Sequence, residues 1–104
     1  MEKLRDKDKG CPWDIKQDHN SIAHCSIEEA YELVAAITKN DQENIKEELG
    51  DILLQVIFHS QIAKENNAFD FNDVVEVLSK KLITRHPNVF DPNFDLKISA
   101  DEQS

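Results

Sequence analysis

The stretch from Asp51 to His86 contains none of the chain's two glycines and three prolines, and its apolar residues recur every three or four positions on both sides of Asn66-Asn67. A run that long, unpunctuated and with a period near 3.6, suits helices and little else. The chain therefore reads as all-α. At 104 residues it is one domain with a single core, small enough for oligomerisation to help it. Its 39% apolar and 32% charged residues give a globular balance rather than a disordered one.

Three main helices follow from the periodicity. Ser26, with Glu29 three residues on, has the spacing of a capping box, so a first helix is expected over 27–38 with Ile27, Ala30, Tyr31, Val34 and Ile37 packed inward. Asn40-Asp41 marks a tight connection to a second helix over 41–66. Its stripe of Ile45, Leu49, Ile52, Val56 and Ala63 is widened by Leu53, Leu54, Ile57 and Phe58, and a helix apolar nearly all round must be covered nearly all round. One small chain offers too little cover, so a second subunit is expected to supply part of it. Asp70 then caps a third helix, with Phe71, Val74, Val75, Leu78 and Leu82 as its apolar face, ending near His86-Pro87. The domain is expected to occupy 1–90. Within it, 1–20 reads as an irregular arm with a short helix after Pro12 and Trp13 as its anchor, while 91–104, with a turn at Asp91-Pro92-Asn93, reads as a tail or the start of a linker.

A net charge of −9 argues against sequence-independent nucleic-acid binding. The longest apolar run, 52–58, is interrupted by Gln55 and is too short to span a bilayer. Cys11 and Cys25 read as reduced thiols, and no signal peptide precedes them, so a cytoplasmic location is expected. The histidines and cysteines do not recur at zinc-ligand spacing, and neither a glycine-rich phosphate loop nor a serine-nucleophile elbow is present.

The chemistry lies in the carboxylates. Glu28-Glu29-x-x-Glu32 falls in the first expected helix and Glu48-x-x-Asp51 in the second. Acids three or four apart share a helix face, because about 100° per residue brings them back to one side. Acids on solvated faces usually alternate with Lys or Arg, yet the three Glu of the first helix have no Lys or Arg within four positions. Two facing acidic patches suit a hard cation such as Mg²⁺, which can polarise a phosphoryl group and activate water. Glu29, Glu32, Glu48 and Asp51 are the expected ligands, with Glu28 as proton acceptor or a steering carboxylate. Lys81 and Arg85, four apart on the third helix, form either a phosphate clamp or an ordinary solvated face. Gln55 lies one turn beyond Asp51 on the polar stripe of Glu48, Asp51, Gln55 and His59, as a ligand-binding amide or a core one.

Glu28-Glu29-Ala30-Tyr31-Glu32 followed by Glu47-Glu48-Leu49-Gly50-Asp51 resembles the signature of MazG-type nucleoside triphosphate pyrophosphohydrolases, of the all-α NTP pyrophosphatase superfamily. The likeness extends to Gly10-Cys11-Pro12-Trp13-Asp14 with Gln17 and to Arg85-His86-Pro87-Asn88-Val89-Phe90, covering about residues 4–90. The resemblance implies a helical bundle completed by dimerisation, or by pairing of dimers into tetramers. It implies Mg²⁺, or Mn²⁺ in its place, at each acidic site. Its reaction is (d)NTP plus water to (d)NMP plus pyrophosphate, a house-cleaning of the nucleotide pool without nucleic-acid or membrane partners. By position, Glu29, Glu32, Glu48 and Asp51 match metal ligands, Lys81 and Arg85 match phosphate contacts, and Glu28 matches the first acid of the motif. Trp13 and Gln55 are candidates for contact with the base, Trp13 being equally suited to anchor a core or interface. The arm and the Arg-His-Pro ending resemble the N-terminal half of two-domain bacterial proteins, so the alternative is a catalytically weak dimerisation or regulatory module.

Overall fold

A computed structural model describes residues 1–87 and residue 89. Among these the only regular elements are helices: α1 (Pro12–Ile15), α2 (His19–Thr38), α3 (Gln42–Glu65) and α4 (Phe71–Arg85). The turn expected at Asp91-Pro92-Asn93 lies outside the described residues.

Each long helix begins at an aspartate whose side chain accepts a hydrogen bond from a backbone N–H of the first turn. Asp41 takes the amide of Asn44 at 3.1 Å, and Asp70 that of Asp73 at 3.0 Å. The second and third expected helices therefore start and stop within a residue or so of their observed bounds. The first does not: α2 starts at His19, eight residues before 27. Its cap is Asp18, which accepts from the Ser21 amide at 2.7 Å while the Ser21 hydroxyl accepts from the Asp18 amide at 2.9 Å. Ser26 lies inside the helix, so the Ser26–Glu29 pair is not its capping box and residues 19 and 20 belong to α2 rather than to the arm. Asn40 (φ 54°) and Asn67 (φ 59°) take the left-handed conformation that lets each helix end turn sharply, and asparagine tolerates it better than most residues.

The core is small and lies where α2, α3 and the arm meet. Ile22, Phe58 and Ile62 are buried together, with Met1 and Cys25 packed against them. The face of α2 turned inward is Ile22, Cys25, Glu29, Leu33 and Ala36, each buried or half-buried. The expected inward face of Ile27, Ala30, Tyr31, Val34 and Ile37 is instead exposed in the single chain, with Tyr31 at 72%. Leu49, Leu53 and Leu54 of α3 are also exposed. The same 3.6-residue repeat fits two faces of α2, and the more apolar one is open.

The arm is tied down despite its polarity. Arg5 donates to both carboxylate oxygens of Glu65, at 2.7 and 2.9 Å, and to the carbonyls of Asp14 and Gln17. Its guanidinium lies 5.6 Å from the centre of the Phe58 ring, and Trp13 meets that ring edge-on at 6.4 Å between centroids. Trp13 thus touches the core while remaining more than half exposed.

Candidate active site

Antiparallel packing of α2 against α3 brings the two acidic motifs together, since helices joined by a short turn place residues equally far from that turn side by side. Glu29 of α2 and Glu48 and Asp51 of α3 each offer a carboxylate oxygen within 4.8 Å of the others. Glu32, one turn along α2, is not in that convergent set, but its charge reaches Glu48. Desolvation raises the Glu48 carboxyl above the ordinary glutamate range, and Glu29, Asp51 and Glu32 push it in the same direction. Glu29 Oε2 is buried with no hydrogen-bond donor. Carboxylates gathered without a basic partner, one with an orphaned buried oxygen, make a donor set fitted to a hard divalent cation.

The remaining sequence candidates are distributed around this set. Glu28 faces away from it and groups with His24 and Cys25, their donor atoms lying within 4.8 Å of one another on one turn of α2. This compact His-Cys-Glu set was invisible to His and Cys spacing alone, because its third member is one of the motif acids. Both cysteines are free thiols. Lys81 and Arg85 line a groove with Val77, Lys80 and Thr84 that is built from α4 alone, and Lys80 is engaged by Glu76 at 2.9 Å. That groove does not include the carboxylates. Gln55 lies one turn beyond Asp51 as expected, and its Oε1 is the other buried side-chain oxygen without a donor among the described residues. His59 completes the stripe and bonds His19 of α2 through Nδ1 to Nδ1 at 2.7 Å. Spacing placed His59 on the stripe, but nothing in the sequence pointed to His19 as its partner.

Residues 17–90 match the MazG nucleotide pyrophosphohydrolase domain, and this match spans both acidic motifs. The chain belongs to that family. It is 56% identical over 90 residues to the nucleoside triphosphate pyrophosphohydrolase/pyrophosphatase MazG of Thermotoga maritima, covering 86% of this chain and 35% of that protein. The nucleoside triphosphate pyrophosphohydrolase of Escherichia coli K12 is 48% identical over 90 residues, covering 86% of this chain and 34% of its own length. The protein of that name from Mycobacterium tuberculosis is 41% identical over 91 residues, covering 86% and 27%. This MazG-family chain therefore spans about a third of the length of the curated relatives it matches. No helix among its described residues is long and apolar enough to cross a membrane.

Proposed function

We propose that this MazG domain is a divalent-cation-dependent nucleoside triphosphate pyrophosphohydrolase, cleaving (d)NTP between the α and β phosphates to give (d)NMP and pyrophosphate. The observation that carries the reading is the meeting of Glu29, Glu48 and Asp51 across two helices with Glu29 Oε2 buried and unpartnered. Mg²⁺, or Mn²⁺ in its place, would be held by these three residues and by Glu32. When bound it supplies charge to neutralise phosphate oxygens and acidify water. The chain's own part is to hold the carboxylates in register on two rigid helices. Glu28, the first acid of the motif, is turned toward His24 and Cys25, so its part is to steer ligands from the flank rather than to take the water's proton. Lys81 and Arg85 serve as the phosphate clamp, the paired cations of α4 that no carboxylate of the described residues neutralises through a salt bridge.

The open apolar faces of α2 and α3 fit a second copy of the chain, in a dimer or a pair of dimers, since monomeric proteins rarely leave such patches uncovered. The substrate is then the soluble nucleotide pool of the cytoplasm, and cleansing that pool is the role the chemistry suits. Glu32→Gln and Asp51→Asn test the reading. Each is expected to lower turnover at least about a hundredfold while the helical content is retained, whereas unchanged turnover would remove these residues from the mechanism.

A further inference from the structure

His24, Cys25 and Glu28 form a second donor set on α2, apart from the carboxylates that meet across the two helices. Helix geometry brings it together. The side chains of His24 and Cys25 leave the axis about 100° apart, and Glu28, one turn on, projects between them, about 40° from the first and about 60° from the second. An imidazole nitrogen, the thiol sulfur and a carboxylate oxygen accordingly lie within 4.8 Å of one another.

These groups have no competing partners. His24 Nε2 and Cys25 Sγ, 3.7 Å apart, hydrogen-bond only each other, and no hydrogen bond or ion pair holds the Glu28 side chain among the described residues. No Lys or Arg stands within four positions of any of the three. Cys25 is half-buried against Ile22, Phe58 and Ile62, which fixes the thiol, while His24 and Glu28 are exposed and leave the set open to an ion from solvent.

The spacing suits one tetrahedral ion. With zinc–sulfur at about 2.3 Å and zinc–nitrogen at about 2.0–2.1 Å, the tetrahedral angle sets those two donors about 3.6 Å apart. The observed 3.7 Å needs almost no adjustment. Donor softness then decides the ion, because thiolate and imidazole select zinc whereas Mg²⁺ takes oxygen.

We propose that His24, Cys25 and Glu28 bind one Zn²⁺ through the imidazole, the thiolate and a carboxylate oxygen, with water in the fourth position and the thiol proton released to solvent on binding. The site goes beyond the pyrophosphohydrolase reading and does not depend on it. Neighbouring faces of α2 then sort two cations by donor type, a hard one at Glu29 with α3 and a softer one at Cys25.

Cobalt(II) stands in for zinc as the probe, since a thiolate ligand gives it a near-ultraviolet charge-transfer band and tetrahedral geometry gives it strong visible bands. The full chain, reduced and in excess Mg²⁺, should develop both with an end point of one cobalt per chain, and Zn²⁺ should abolish them by displacement. Cys25→Ser should remove the charge-transfer band and weaken Co²⁺ binding at least about a hundredfold. His24→Asn, at an exposed position, should weaken it to the same degree, and serves if Cys25→Ser does not fold. Cys11→Ser and Asp51→Asn should keep both bands, the first setting aside the other thiol and the second the acidic site. No charge-transfer band in the folded, reduced chain, a band that survives Cys25→Ser or vanishes in Cys11→Ser, or unchanged affinity in His24→Asn would overturn the assignment. Absorption is read without turnover, so a chain that hydrolyses no triphosphate tests the site equally well.

Discussion

Arg5 and Glu65 close a loop of chain that no hydrophobic period announces. The Arg5 side chain is 7% exposed and Glu65, itself 37% exposed, accepts from two of its nitrogens, so the pair is charge-assisted and bidentate with its guanidinium out of water and its carboxylate at the surface. Arg5→Met should lower stability by about 2 kcal/mol in urea unfolding at pH 7. The hydrogen bond from Arg5 holds the Glu65 carboxyl below its ordinary range. Its stabilisation is therefore complete above the unfolded carboxyl value of about 4.3 and is lost as pH falls through the depressed folded value. Arg5→Met should flatten that acid limb, and a limb of unchanged steepness would show that Glu65 gains nothing from Arg5. The acidic site has the opposite sign. Glu48 is raised, so ionising it at neutral pH works against the fold until a cation offsets the repulsion. Asp51→Asn should raise the Tm of the metal-free protein and abolish the further rise caused by Mg²⁺, both read by thermal unfolding.

At the scale of elements, two of three helix starts were legible because Asp41 and Asp70 follow asparagine turns that break the period. The start of α2 was not, since Asp18, His19, Asn20 and Ser21 are all polar and resemble loop, while Ser26 and Glu29 offer a false cap immediately before an apolar run. Asp18→Ala should cost about 1 kcal/mol through the lost capping box, whereas Ser26→Ala should cost little, and chemical denaturation separates the two. Gly10 defines the arm's turn: a Cβ there would collide with the Leu4 and Asp6 backbone, whose carbonyls accept from the Cys11 and Gly10 amides. Helical spacing also found the acids, because i, i+3 pairs on two helices can be read without tertiary knowledge. It could not say that Glu28 would turn toward His24 and Cys25 rather than toward Glu48, since adjacent residues on a helix diverge by about 100°.

At the scale of the molecule, the sequence marks α3 as too apolar for one chain to cover, and Leu49, Leu53 and Leu54 are exposed in the single chain; the outer face of α2, expected inside, is exposed as well. Periodicity reports that a face is apolar, not which partner covers it. Tyr31→Glu together with Val34→Glu should leave a folded species that sediments as a monomer, where the unsubstituted chain is expected to sediment as a dimer or larger. The same geometry that exposes these faces brings Glu29, Glu48 and Asp51 together within one chain, so cation binding is expected to survive in that monomer. The central claim is that these carboxylates serve hydrolysis at the α–β bond, and product identity tests it most directly. Each common NTP and dNTP is incubated with the chain, with Mg²⁺ or with chelator, and the products are separated by ion exchange. Monophosphate and pyrophosphate in equal amounts, formed only with the cation, are the predicted result; diphosphate and orthophosphate, or turnover undiminished in chelator, would contradict it.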